Sequence, residues 1–356
     1  MDGSRKRDAS MSAGRRLLFA ILAALFCLVI AAVIAEIGLR LFLPQQGAMR
    51  FFASSERYGY ELKKSFHQRY RYVGTDFVMD VRTDSLGLRD REYDPAEFSR
   101  PGLLRVLLVG DSFAFGQGVN MPDHYGTKLE SLLDAGGMSA TVIKGGVPGW
   151  GTVQETRYAR DHLGLFRPDV IVLTFCGNDP GNDVGVGFGS GMVDYNKGVV
   201  RFPGKTFLRD HSHLYRFLFD RFRGVVQGAI LKRKAVRTGE ENALDTQSAA
   251  IITETQWERS LQTIRAFRDE FIAFNPRGIV LVQATAPWEA NIRNHLKVLT
   301  NGSNLYYIDL FEATSSLGPG ERRLPYDGHW SIEMHSISAR ALADFLLDRA
   351  RETSRN

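Results

Sequence analysis

The chain has 356 residues, 44% hydrophobic and 24% charged, an ordinary globular balance with ample material for a core. Its net charge of +5 is modest and sits partly in the N-terminal tail, with no basic stripe interleaved by aromatics, which argues against nucleic acid as a partner. The two cysteines, Cys27 and Cys176, set no disulfide framework, because Cys27 lies in an apolar run expected in a bilayer.

Residues 1–16 form a short basic tail with Arg5, Lys6, Arg7, Arg15 and Arg16. Leu17 to Ala35 follow without a charge. A helix of that length spans about 28 Å, close to the ~30 Å hydrocarbon thickness of a bilayer. Residues 17–43 therefore read as a single transmembrane anchor ended by Pro44, with the basic tail cytoplasmic and the rest periplasmic or extracellular. A cleaved signal peptide is the rival reading, although Val33-Ile34-Ala35 is a poor cleavage site and the apolar run is long for one.

Residues 45–100 are rich in aromatics, with alternation around Tyr70 to Val81, and predict a small β-rich lead-in that ends in Thr83-Asp84-Ser85-Leu86-Gly87-Leu88-Arg89 and packs on the main sheet. From there the chain alternates strand and helix. Strands are expected at 104–109, 141–144, 169–175, 278–284 and 305–310, and helices at 123–135, 152–164, 255–273 and 331–349. That rhythm predicts an α/β fold, a parallel sheet covered on both faces, over residues 101–350. An insertion at about 181–253 interrupts it, with a glycine-rich start, a hairpin turning at Asn196-Lys197-Gly198, a basic helical stretch at 207–235 and a linker at 236–250.

Four pieces fall at strand ends or in the loops after them, where a parallel sheet opens its crevice. Ser112, in Gly110-Asp111-Ser112, is a candidate nucleophile. Gly145-Gly146-Val147-Pro148-Gly149-Trp150-Gly151 can present bare N–H groups to an anion, or is simply a tight turn. Asn178, in Gly177-Asn178-Asp179, can aim an amide at a developing oxyanion, or make an Asx-turn. In Asp327-Gly328-His329, His329 is a candidate base and Asp327 the acid that orients it, unless both are polar residues of a loop capped by Ser331. His335 and the pair His211/His213 read as packing or surface histidines, and His211-x-His213 makes a poor metal site without further ligands.

Together and in this order the four blocks resemble those of the SGNH (GDSL-like) hydrolase family, over residues 100–350, and the apolar helix with its lead-in resembles membrane-anchored bacterial members. The resemblance implies a three-layer α/β/α sandwich, no metal and no organic cofactor. It implies Ser112 as nucleophile, His329 as general base, Asp327 as its orienting acid, and an oxyanion hole of Ser112 N–H, Gly146 N–H and the Asn178 amide. Two departures stand out: Lys144 occupies a position often held by asparagine, and the acid and base are spaced Asp-x-His rather than Asp-x-x-His. The expected activity is ester hydrolysis through an acyl-enzyme on a small-molecule or glycan ester at the cell envelope. The alternatives are O-acyl transfer by the same residues and a non-catalytic glycan-binding or assembly protein. Nucleotide binding is disfavoured, since neither Gly-x-Gly-x-x-Gly nor a phosphate loop follows strand 104–109.

Overall fold

The computed structural model describes residues 13–47, 49–183, 204–219, 221–222, 252–299 and 304–355. The turn expected at Asn196-Lys197-Gly198, the linker 236–250 and most of the tail 1–16 lie outside the described residues. The chain divides into two compact units, Met1–Ala48 with Arg201–Thr238, and Met49–Val200 with Gly239–Asn356.

In the first unit a helix runs from Ala13 to Phe42. It is the one helix among the described residues that is long and apolar enough to cross a membrane. It continues about two turns past Ala35, where Glu36 and Arg40 are spaced i,i+4 and pair at 2.7 Å. Glu36 also accepts the Ser212 hydroxyl (2.8 Å) and the His213 and Leu214 N–H groups (2.9 and 2.7 Å). That remote cap breaks the helical stretch expected from 207: one helix covers Lys205–His211, and the next begins after Ser212. His213 accepts from the Gln45 N–H at 2.8 Å, and His211 stacks on Phe207. Both histidines are structural here.

The second unit opens with the lead-in as two antiparallel hairpins, β1 (Phe52–Ser55) with β2 (Gly59–Leu62) and β3 (His67–Arg71) with β4 (Val78–Arg82). The five strands that follow form one parallel sheet: β5 (Leu104–Gly110), β6 (Ala140–Gly146), β7 (Val170–Phe175), β8 (Ile279–Ala284) and β9 (Leu305–Ile308), in the order β6-β5-β7-β8-β9. Each lies within a few residues of its expected place. They are nearly continuous apolar runs because both faces are covered.

Alternation along the strands decides which face each residue serves. Leu107, Val109, Ile143, Leu173 and Val282 pack under helices Thr152–Phe166 and Glu254–Phe274, and the lead-in aromatics Phe51, Tyr60 and Phe98 join the same core. Val106, Leu108, Val142, Val172 and Leu281 pack under helices Tyr125–Ala135 and Ile332–Arg355. The result is the expected three-layer α/β/α arrangement. The chain steps from β5 outward to β6, then back across to β7, so the loops after β5 and β7 part where a doubly wound sheet opens its crevice.

Candidate functional site

Two glycines let the chain turn sharply at the head of β5. Gly110 pairs with Gly146 on one side and Thr174 on the other, and a Cβ on it would lie 2.7 Å from Ala114 Cβ. A Cβ on Gly146 would come within 2.2 Å of the Ala114 carbonyl carbon and the Phe115 nitrogen. Both contacts are made by a short helix, Ser112–Phe115, which folds directly onto the strand ends. Asp111 caps that helix by accepting the Phe113 N–H at 2.9 Å. Burial pushes its pKa up to about 6. The His124 ring holds the Ala114 carbonyl at 2.9 Å. Ser112 stands at the first position of the helix, where an N–H has no intrahelical acceptor.

The loop before the last helix reaches this point from 217 residues away. His329 Nε2 lies 2.7 Å from Ser112 Oγ. The His329 ring packs 4.8 Å from that of Phe113, and its carbonyl accepts the Leu324 N–H at 2.8 Å. Beside it, Trp330 is buried and donates to the Thr285 carbonyl at 2.7 Å. His329 Nδ1 is 3.0 Å from Asp327 Oδ1. The approach lies off the line of a hydrogen bond, so the Nδ1 position has a close carboxylate without a well-aligned bond. Asp327 is gripped from its other side: Oδ2 accepts the Tyr72 hydroxyl, and Gln117 Nε2 stands 3.3 Å from each carboxylate oxygen. Burial alone would raise the Asp327 pKa, but His329, then Tyr72 and Gln117, outweigh it and hold it below its ordinary value.

The other two blocks flank the serine. The β7 loop folds on Asp179, whose Oδ2 accepts the Cys176 N–H at 2.8 Å. Asp179, not Asn178, therefore makes the local turn. The Asn178 amide donates to nothing among the described residues, and its Oδ1 is buried without a partner. In the glycine turn, the Val147 N–H donates to the Gly110 carbonyl at 3.0 Å, whereas the Lys144 N–H faces outward to Asp90 at 3.2 Å. Successive N–H groups of a strand alternate sides, so the Gly146 N–H turns outward with that of Lys144. Gly149 has φ +82°, and its N–H meets no acceptor among the described residues. This turn is braced from the lead-in: Tyr60 donates to the Pro148 carbonyl at 2.9 Å and accepts the Trp150 indole at its own carbonyl at 3.0 Å.

The sequence profile of the GDSL-like lipase/acylhydrolase family matches residues 108–337. The chain belongs to that family. It is an SGNH-type hydrolase acting on esters. Among solved structures it is similar to the Clostridium thermocellum family 3 carbohydrate esterase, at 16% identity and TM-score 0.41, over 70% of this chain and 98% of that one. It is also similar to the lipase/acylhydrolase from Enterococcus faecalis, at 14% identity and TM-score 0.40, over 69% and 96%. Both likenesses are distant, and the assignment rests on the family match. No curated protein matches the chain.

Within this GDSL-like chain the departures have structural reasons. Lys144 lies buried on the outer edge of β6, with Nζ 3.0 Å from Asp90 Oδ1 and 2.9 Å from the Val142 carbonyl. His335 is a core residue that accepts the Tyr125 N–H at 3.2 Å, and burial drives its pKa down to about 3. The Cys176 thiol is pushed up by burial and makes a poor nucleophile. No group of three or more His, Cys, Asp or Glu among the described residues is spaced to hold a metal ion.

The lead-in does more than the packing expected of it. Asp84 Oδ1 accepts the Leu86 and Leu88 N–H groups at 3.0 and 2.7 Å, and this wrapped turn delivers Arg89 into the interior. There its guanidinium donates to the carbonyls of Phe115, Gly116 and Val119 at 3.0, 2.7 and 2.8 Å. Those residues follow the serine and carry Gln117. The sequence signal for Arg89 is its place at the end of the Thr83–Arg89 stretch; Tyr72 stands out only as one aromatic of the lead-in, and Gln117 not at all.

Proposed function

We propose that the chain hydrolyses its ester through a serine acyl-enzyme, with Ser112 as nucleophile, His329 as general base and Asp327 as the acid that orients it. The observation that carries this reading is the run Ser112 Oγ to His329 Nε2 at 2.7 Å and His329 Nδ1 to Asp327 Oδ1 at 3.0 Å. In the first step Ser112 Oγ bonds to the ester carbonyl carbon while His329 takes the hydroxyl proton. The carbonyl electrons move onto oxygen, and the Ser112 N–H, an amide of the glycine turn and the Asn178 side chain receive that charge. In the turn, the Gly146 N–H is the amide the motif assigns to this role: it faces away from β5, has no acceptor among the described residues, and lies against the 112–115 helix that carries Ser112. Each such donor contributes about 2.7–4 kcal/mol to the transition state. Collapse expels the alcohol, which takes the proton from His329. Water, activated by the same imidazole, then cleaves the acyl-enzyme, and an acceptor hydroxyl in its place would make the reaction a transfer.

The apolar helix Ala13–Phe42 supports a place at the membrane, and the basic residues before it support a cytoplasmic N-terminus with the hydrolase outside. Such a place favours an envelope glycan ester as substrate. The test of the site is intact-mass analysis of the full chain in detergent after a fluorophosphonate probe. One adduct on the wild type, absent in Ser112→Ala and at least 100-fold slower (roughly, for loss of a general base) in His329→Ala, is expected. An unlabelled wild type beside a labelled serine esterase would overturn the reading in favour of a binding protein.

A further inference from the structure

We propose that Tyr72, in the lead-in, is a positioning residue of the site: its hydroxyl holds the far oxygen of Asp327 so that the near oxygen stays against His329. The inference rests on the reading of Ser112, Asp327 and His329 given above. Its starting point is the Asp-x-His spacing. A single residue, Gly328 at φ +74°, separates acid from base, so both sit on one tight turn. The turn brings Asp327 Oδ1 to 3.0 Å from Nδ1 but out of line, and the contact alone cannot fix the carboxylate's rotation. Something behind the carboxylate must do so.

Two groups stand there. Gln117 Nε2 is shared between both oxygens at 3.3 Å, a long contact that favours neither. Tyr72 bonds one oxygen only. Its own place is fixed: it is buried, its N–H donates to the Phe77 carbonyl at 3.2 Å, and its ring packs against Tyr70, Phe77 and Tyr326 at 5.2, 6.0 and 5.0 Å. Burial, then the Asp327 charge, keeps the phenol protonated, so it stays a donor at any working pH. A ring needed only to fill the core would have no use for a hydroxyl aimed at the carboxylate that faces His329.

The experiment is a double-mutant cycle on the full chain in detergent, read as the rate of fluorophosphonate labelling, with thermal unfolding beside it. Tyr72→Phe keeps the ring and removes the hydroxyl. It is expected to slow labelling about tenfold in the wild-type background and less than about twofold in Asp327→Asn, with unfolding temperature unchanged within about 3 °C. Gln117→Ala is expected to cost less than Tyr72→Phe. A wild-type rate in Tyr72→Phe, an equal slowing in both backgrounds, or a slowing that follows a fall in unfolding temperature would each overturn the inference while leaving Ser112 in place. Labelling that persists in Ser112→Ala would overturn the site reading, and this inference with it.

Discussion

Replacing Arg89 by Met tests how much a buried cation gains from main-chain carbonyls. The residue is 2% exposed, and among the described residues no carboxylate pairs with it. Its guanidinium donates to four carbonyls, those of Phe115, Gly116, Val119 and Asp80, at 2.7–3.1 Å. Hydrogen bonds from a charged group contribute about 1.5–3 kcal/mol each, so four give roughly 6–12 kcal/mol as an upper bound. Against this, burial lowers the guanidinium pKa from 12.5 to about 10, a cost of about 3 kcal/mol at pH 7. Methionine fills the stem's volume but leaves buried carbonyls unpaired, and partial relaxation reduces the loss. We expect Arg89→Met to destabilise the protein by about 3–5 kcal/mol, seen as a fall of about 5–15 °C in thermal unfolding followed by tryptophan fluorescence. Labelling of Ser112 should fall as well, because Gln117 rides on the loosened segment. A loss below about 1 kcal/mol would refute the reasoning, since four satisfied carbonyls cannot be released so cheaply.

Two other changes follow from the buried groups around the serine. Glu155 is 1% exposed with Oε1 unpartnered, and burial, then Asp111 and Asp183, raise its pKa well above the ordinary 4.5. A raised acid favours the fold fully below its unfolded pKa, and that favour is lost as pH rises through the folded value. Glu155→Gln should therefore gain about 1–3 kcal/mol over wild type at pH 8 and little at pH 4, measured by urea midpoints; a variant less stable than wild type at pH 8 would contradict this. Gly146→Ala puts a Cβ 2.2 Å from main-chain atoms of the 112–115 helix. It should cost about 3 kcal/mol or more, or prevent folding, as soluble yield and thermal unfolding would show.

The sheet was legible because a parallel strand buried on both faces is a continuous apolar run, and all five stood out from their polar flanks. The chemical blocks were legible for a related reason: they occupy the loops at the strands' carboxyl ends, where the topology leaves few places for a site. Local sequence could not say which way a glycine N–H points, and only strand alternation turns the Gly146 amide away from β5. The helix Ser112–Phe115 is too short to carry a period. Asp179 rather than Asn178 makes the β7 turn, a choice between neighbours that residue type alone leaves open. The partners of Asp327 were invisible because Tyr72 and Gln117 lie 255 and 210 residues from it. Likewise, nothing near Ser212 announces that Glu36 ends one helix there and starts another.

The position of Arg89, Tyr72 and Tyr60 sets a boundary that the family match does not. Residues 108–337 contain every motif of the hydrolase, yet the buried arginine, the phenol on Asp327 and the tyrosine under the glycine turn all come from the 60 to 89 stretch upstream. A fragment cut to the matched region would keep the serine, the histidine and the aspartate while leaving each of their supporting loops unlatched. The supports for these loops therefore begin at Tyr60, in the first hairpin. Chain synthesis then has an order to it: the latches emerge from the ribosome before the residues they will hold, and the last of those, Asp327, follows Tyr72 by 255 residues.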